Sequence, residues 1–271
     1  MKVLRGLMEF SPQNTLEEAL IRAATEPAHR PEFFSELMTA TVYVLGNSDG
    51  NTTFGEQTLQ AGSHVHLQHW EKPDGTSAIP FFSSLEALQS AITEEQSFLA
   101  LPARALFELT QGAVLFLNPK LPYGKEFLPQ EVEHLLAGEG TGLVTKKVIE
   151  EDTQVLIGQP AEMPAQMIDS LTQLFAKYPG VRRAFLVQIK EPDEEQPHLL
   201  VGIDVDEDVE AIIQAAGTVA SDTLPDDRPI DLCVVADNEP GISHYMIKHT
   251  TPFYERKWGS FLRDFKNSGH A

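Results

Sequence analysis

The sequence predicts an α+β fold in two parts, each a small mixed or antiparallel sheet with helices packed on it. Three observations predict it. Segments with helical periodicity alternate irregularly with short runs of β-branched and aromatic residues, without the regular βαβ rhythm of a parallel sheet. The 271 residues approach the upper limit for one core, which favours two domains of roughly 100–150 residues. A Pro- and Gly-containing stretch near the middle separates two segments of similar style. The expected division is an N-terminal domain over 14–128, a junction over 129–153 and a C-terminal domain over 154–271.

In the first half, Leu16, Ala19, Leu20 and Ala23 recur at helical spacing, with Asn14 or Thr15 placed to cap them. A second helix follows Pro31, a residue suited to a first helical turn, and carries Phe33, Phe34, Leu37 and Met38. Thr41 to Leu45 reads as a strand and Asn47 to Gly62 as a loop. His64–Trp70 and Thr76–Phe82 flank Lys72-Pro73-Asp74-Gly75, whose Asp-Gly pair marks a hairpin turn. Ser83 or Ser84 caps a helix with Leu85, Leu88 and Ile92, and Glu86 sits where the helix dipole favours a carboxylate. Phe98–Leu101 is expected as a short buried strand, Ala103–Thr110 as a helix and Val114–Leu117 as a strand.

Residues 119–153 hold Pro119, Pro122, Pro129 and a short helix around Gln130–Leu136, followed by Gly138-Glu139-Gly140-Thr141-Gly142. That spacing is not the dinucleotide fingerprint, and it follows a helix rather than a strand, so a helix C-cap and connection is the expected role. Beyond it, Gln154–Ile157 is a strand. Pro164 opens a helix with Met167, Ile168, Leu171, Leu174 and Phe175 on one face, ending at Pro179-Gly180. Arg183–Ile189 and His198–Val205 form a wide hairpin. A helix follows with Val209, Ile212, Ile213 and Ala216, and with Asp206, Glu207 and Asp208 in its first turn. Ile230–Val235 is a strand containing Cys233.

Composition excludes several classes of function. Hydrophobic residues make up 42% and charged residues 22%, ordinary globular values that argue against disorder. Twenty basic against 40 acidic side chains give a net charge of −20, so neither nucleic acid nor an anionic membrane is an expected partner. No apolar run approaches the ~20 residues of a membrane span, and the N-terminus lacks the apolar stretch of a signal peptide. With one cysteine, a disulfide framework is excluded and a reducing, cytoplasmic setting fits. Residues 191–239 hold 15 acidic side chains against Arg228 alone, either a docking face for a basic partner or a solvated acidic surface.

Candidate chemistry is sparse. Cys233 lies in an apolar strand with Asp231 and Asp237 nearby, an environment that disfavours a thiolate. His64, His66 and Gln68 alternate on one strand face without a third metal ligand in view. Asp204, Asp206 and Asp208 alternate but lack the glycine of a calcium loop. His244 and His249, five apart on an expected helix, do not form a shared-face pair. No metal and no cofactor is expected. The segment Pro252–Lys266 carries Tyr254, Trp258, Phe261, Leu262 and Phe265 at spacings of one helical stripe, beside Arg256, Lys257, Arg263 and Lys266. Packing on a sheet is the leading role for that stripe. Its aromatic and Arg residues, Tyr254, Arg256, Trp258 and Arg263, are also the types enriched at interfaces. Lys125 and Glu126, in the Pro- and Gly-rich stretch, are the other candidate binding residues.

Long blocks of the chain resemble the enhanced serine sensitivity (SseB) family. They include Ala24-Thr25-Glu26-Pro27-Ala28-His29-Arg30-Pro31, Leu67-Gln68-His69-Trp70-Glu71-Lys72 and Pro80-Phe81-Phe82-Ser83-Ser84-Leu85-Glu86. Gly124-Lys125-Glu126-Phe127, Pro164-Ala165-Gln166-Met167-Ile168-Asp169-Ser170-Leu171 and Asp222-Thr223-Leu224-Pro225 continue the likeness, which runs from about Leu16 to Lys266. The resemblance implies distinct N- and C-terminal SseB-type domains and brings no catalytic residues with it. The expected function is a non-catalytic cytoplasmic binding or regulatory protein with a protein or metabolite partner, affecting serine metabolism indirectly. The alternative is an enzyme or small-molecule binder with a site between the domains around Lys125 and Glu126. Self-association is compatible with the composition, which fixes no symmetry.

Overall fold

The computed structural model describes residues 11–48, 64–138, 155–192, 194, 196–224 and 229–256. Among them are eight α-helices and two mixed sheets, which is the α+β class the sequence predicts. Chain contacts divide the molecule into two units, Met1–Thr141 and Gly142–Ala271.

In the first unit, helix α1 (Thr15–Thr25) begins where the Asn14 side chain accepts a hydrogen bond from the Glu17 N–H. That bond satisfies one of the helix's otherwise orphaned donors. A 3₁₀ turn, Pro27–His29, leads into α2 (Arg30–Thr39). Strand β1 (Thr41–Ser48) pairs antiparallel with β2 (Val65–Leu67), β4 (Ser77–Phe82) and β5 (Phe98–Pro102). The short β3 (Trp70–Glu71) pairs with β4 across the turn at Gly75, whose φ of 80° is open to glycine at no steric cost. Helix α3 (Leu85–Ala91), capped by Ser84, and α4 (Ala103–Leu109) flank β5 in sequence. Strand β6 (Leu115–Leu117) joins β4 in parallel and β7 (Lys125–Phe127) in antiparallel fashion, and α5 (Pro129–Ala137) follows.

Side-chain alternation along these strands builds three layers. Val42, Val44, Ile79, Phe81, Leu115 and Leu117 meet α1, α2, α4 and α5 in one core. Leu45 and Phe82 face the other way and meet Ala87, Leu88 and Ala91 of α3.

The second unit is built on a smaller sheet. Strand β9 (Val181–Lys190) pairs antiparallel with β10 (His198–Val205) along its whole length, and β10 pairs in parallel with β11 (Ile230–Val234). The other edge of β9 carries β8 (Leu156–Gly158) and β12 (Tyr254–Glu255). Helix α8 (Ile242–His249) closes one face, where Met246 meets Phe185, Val187, Leu200 and Val235. Helices α6 (Ala165–Phe175) and α7 (Val209–Thr223) pack on each other and bury the opposite face. Gly202 of β10 lies directly under α8: a Cβ there would stand 2.6 Å from Val235 Cγ2 and closer still to Met246 Sδ.

The structure corrects several expectations. Phe98–Leu101 is not a buried strand; β5 pairs only with β1, and of its five residues Leu101 alone is buried. Strand β7 has no counterpart among the expected elements, and Val132 and Leu135, from the stretch read as junction, pack into the first core. Gly138 is a left-handed helix C-cap with φ 79°, as its position after α5 predicts, while residues 139–154 fall outside the described part. Asn47 belongs to β1 and not to a loop. Helix α6 stops at Phe175, before Pro179, and Asp206, Glu207 and Asp208 precede α7 rather than forming its first turn. Tyr254 is not on a helix. It lies in a strand held by Phe253 N–H to Ala184 O at 2.9 Å and Arg256 N–H to Arg182 O at 2.8 Å.

Candidate functional site

The most developed polar site of the described residues sits at one end of the second sheet, on the side of α8. Strand register explains its assembly. Arg183 is the cross-strand partner of both Asp204 and Glu255, so the three fall on one sheet face. Arg182 belongs on the opposite face by simple alternation. However, the register shifts here: Asp204 opposes Arg183 while Val205 opposes Val181, so Arg182 is the extra residue of a β-bulge. A bulge re-aims a side chain, and this one turns two consecutive arginines onto one carboxylate.

Asp204 is 1% exposed. Its Oδ1 accepts from Arg182 Nε at 2.9 Å and Nη2 at 2.5 Å, and its Oδ2 accepts from Arg183 Nε at 2.8 Å. A buried carboxylate held by charge-assisted bonds on both oxygens is fixed in position. Arg182 also reaches Asp206 at 3.2 Å, and Arg183 Nη2 donates to Asp237 Oδ1 at 2.9 Å. The Arg183 guanidinium lies 5.7 Å from the Phe185 ring centroid, a cation–π distance. Arg256 Nη1 donates to Pro179 O. Arg182, Arg183, Asp204, Asp237, Glu255 and Arg256 line a pocket of about 380 Å³ open to solvent. Asp204 holds the Arg182 guanidinium above its ordinary pKa, chiefly through the hydrogen bond. For Arg183, desolvation pulls downward, but its hydrogen bonds to Asp204 and Asp237 leave the pKa raised. Both side chains therefore stay cationic.

The six candidate binding residues divide. Arg256 stands in this pocket. Tyr254, one residue from the wall formed by Glu255, faces the other way: its hydroxyl donates to Phe175 O at 3.1 Å, its ring packs 5.6 Å from Phe175, and burial raises its pKa. Lys125 and Glu126 are half-buried in the first unit and engaged separately. Lys125 Nζ pairs with Glu131 at 2.9 Å and lies 5.0 Å from the Phe127 ring, while Glu126 accepts from Lys72 Nζ at 2.6 Å. The Glu126 and Asp74 contacts raise the Lys72 pKa. Trp258 and Arg263 lie outside the described residues. Sequence reasoning did not select Arg182, Arg183, Asp204, Asp237 or Glu255 as binding residues. The readable signals were an Arg doublet opening a strand and one aspartate inside the apolar run His198–Val205.

Other candidates resolve into structural roles. Cys233 is half-buried, and desolvation, followed by Asp231 and Glu239, pushes its thiol up to about 12. His64 and His66 are exposed, as the alternation predicts. His244 and His249 do approach each other, with ring centroids 6.2 Å apart. Among the described residues, no group of three or more His, Cys, Asp or Glu side chains is arranged to hold a metal ion. None of the described helices is long and apolar enough to cross a membrane.

Fold and site together define an α+β protein of two units with a guanidinium–carboxylate pocket in the second. Residues 16–134 match the SseB protein N-terminal domain and residues 149–256 the SseB protein C-terminal domain. The chain belongs to the SseB family. It is 54% identical over 256 residues to Protein SseB of Escherichia coli (strain K12), covering 94% of this chain and 97% of that one. The match to Protein SseB of Shigella flexneri has the same identity and coverage. The comparison with solved structures found no match.

Proposed function

We propose that this protein is a non-catalytic binding or regulatory protein of the cytoplasm, and that the pocket around Asp204 is its binding surface. The observation that carries this reading is the construction of the pocket. Two guanidinium groups are locked onto one buried carboxylate, so the cations are positioned in advance and ordering them costs a ligand little. Groups held cationic by their neighbours suit recognition of a charged ligand better than proton transfer, which needs a pKa near the working pH. The link to serine metabolism rests on the family resemblance, and an indirect effect through a bound partner or metabolite accommodates it.

The test has two arms on the full chain. A panel of central metabolites is screened by ligand-observed NMR, which reports binding and consumption in the same sample. The expected result is a ligand that binds, is not consumed over hours, and is released by Arg183→Gln. Turnover of a metabolite, abolished by one side-chain change, overturns the reading. In cells lacking the protein, wild type should restore growth on added serine and Arg183→Gln should not; equal restoration by the two removes the pocket from the function.

A further inference from the structure

Among the pocket's carboxylates, the three lining groups are held very differently. Asp204 is buried and divided between two arginines. Glu255 is set by its place in β12, opposite Arg183. Asp237 stands on the segment between β11 and α8, its side chain is 57% exposed, and one oxygen reaches Arg183 Nη2 at 2.9 Å. An exposed contact of that kind is weak and readily exchanged. Arg183 is thus anchored on its inner side through Nε and Nη2, which both reach Asp204 Oδ2, and its Nη2 is covered on the outer side by a replaceable carboxylate.

We infer that Asp237 occupies the seat of a ligand carboxylate, and that the pocket takes a small zwitterion carrying a carboxylate and an ammonium group. This rests on the reading of the pocket as a binding surface. Charge decides the class. Behind the rim, Arg182 is engaged by Asp204 and Asp206. The rim itself then presents Arg183 and Arg256 against Asp237 and Glu255. A simple anion that displaces Asp237 leaves its carboxylate on the same wall as Glu255 without a cation. A simple cation is repelled by the arginines. A zwitterion satisfies both signs: its carboxylate takes the outer edge of the Arg183 guanidinium, between Nη1 and Nη2, the edge that Asp204 leaves exposed. Its ammonium group is received by the displaced Asp237 or by Glu255. The exchange leaves the rim neutral. The pocket's ~380 Å³ falls at the small end of ligand sites, and its charged walls suit a small polar molecule.

The experiment is a calorimetric titration of the full-length protein with glycine, acetate and methylammonium, repeated on Asp237→Asn. That variant changes an exposed residue and keeps its volume, and its circular dichroism spectrum is checked against wild type. Wild type is expected to bind glycine at least tenfold more tightly than acetate, and methylammonium most weakly. In Asp237→Asn, acetate gains several-fold because its competitor has lost its charge. Glycine loses a partner for its ammonium group, so the preference shrinks at least tenfold. Acetate binding wild type as well as glycine overturns the inference, as does an unchanged preference in the variant. If all three probes fail to bind, the inference falls, and the metabolite panel and its Arg183→Gln control still decide separately whether the pocket binds anything. If a metabolite without an ammonium group binds and is released by Arg183→Gln, the function stands and the zwitterion assignment does not.

Discussion

Replacing Asp204 by Asn removes one charge and almost no volume, so its effect isolates the electrostatic anchor of the site. Asp204 accepts three hydrogen bonds from two guanidinium groups. An asparagine retains one acceptor oxygen, for one arginine, and turns an N–H group toward the other. Breaking a buried charge pair by removing one member costs about 3–5 kcal/mol when the survivor stays buried. Here the survivors do not stay buried: the Arg182 and Arg183 side chains are 40% and 27% exposed and reach water. The expected loss is therefore smaller, about 2–3 kcal/mol. The two units need not unfold together, so a single global transition is the wrong measure. Amide exchange followed by mass spectrometry on peptides of β9 and β10, with β1 and β4 as the internal reference, resolves the effect locally. The predicted loss accelerates exchange near the bulge about 30- to 150-fold while the first unit stays unchanged. Acceleration below about threefold would refute the claim that this carboxylate holds the two arginines in place.

Three further outcomes follow from other contacts. Gly202→Ala drives a Cβ into Met246 and Val235, and overpacking of this kind costs about 1–3 kcal/mol; a urea midpoint for the second unit equal to wild type would contradict it. Ser83→Ala strips a hydroxyl that donates to buried Glu17 at 2.7 Å and accepts from Asn118 Nδ2 at 2.7 Å. The unpaired groups should cost about 2–3 kcal/mol, read as faster exchange in α1. Cys233, with its thiol near 12 against an ordinary 9.0, should hold about a thousandfold less thiolate than a free thiol at pH 8 and alkylate correspondingly slowly. The unfolded chain ionises first, so folded stability is intact below pH 9 and falls as pH rises toward 12. Cys233→Ala should flatten that decline, and a decline of unchanged slope would show that other groups cause it.

Much of the architecture was legible because its signals are local. The Asn14 cap, the Asp74-Gly75 turn and the apolar stripe of α6 each depend on residues within a few positions of one another. Tyr254 was misread for an equally physical reason. Aromatic spacing over 254–265 has the helical period, but the open edge of β9 offers backbone partners at Ala184 and Arg182, and tertiary hydrogen bonding prevails over the pattern. The exposed side of β5 reflects its place at the sheet edge, which an apolar run such as Phe98–Leu101 does not reveal. Of the six residues chosen for binding, the sequence led to Arg256 but gave no reason to join it to Arg182 and Arg183. That junction needs the β9–β12 register, a contact between residues more than seventy positions apart.

The bulge also explains why an acid-rich segment can contribute to a site with exposed cations. Asp204, Asp206 and Asp237 all come from the 191–239 stretch, and each contacts an arginine of β9. In a strand of regular alternation, Arg182 would point to the α6 and α7 face, where its charge would meet an apolar core at a steep desolvation cost. Arg183 would then be the sole cation on Asp204. With the bulge, two adjacent cations share one buried anion, and the pair of arginines carries more charge than the carboxylate they enclose. The more exposed carboxylates, Asp206 and Asp237, balance that excess from outside, where solvent weakens their hold. The result is a firm interior and an exchangeable rim, the division of labour that a binding pocket requires. Deleting Arg182 should thus do more than remove a donor. Closing the bulge leaves Arg183 opposite Asp204 but removes the Arg182 carbonyl that accepts from the Arg256 N–H, so the deletion should loosen β12 and abolish binding. Arg182→Gln keeps the bulge and should weaken binding only in part. Equal losses in the two variants would mean that charge, and not the backbone irregularity, builds the site.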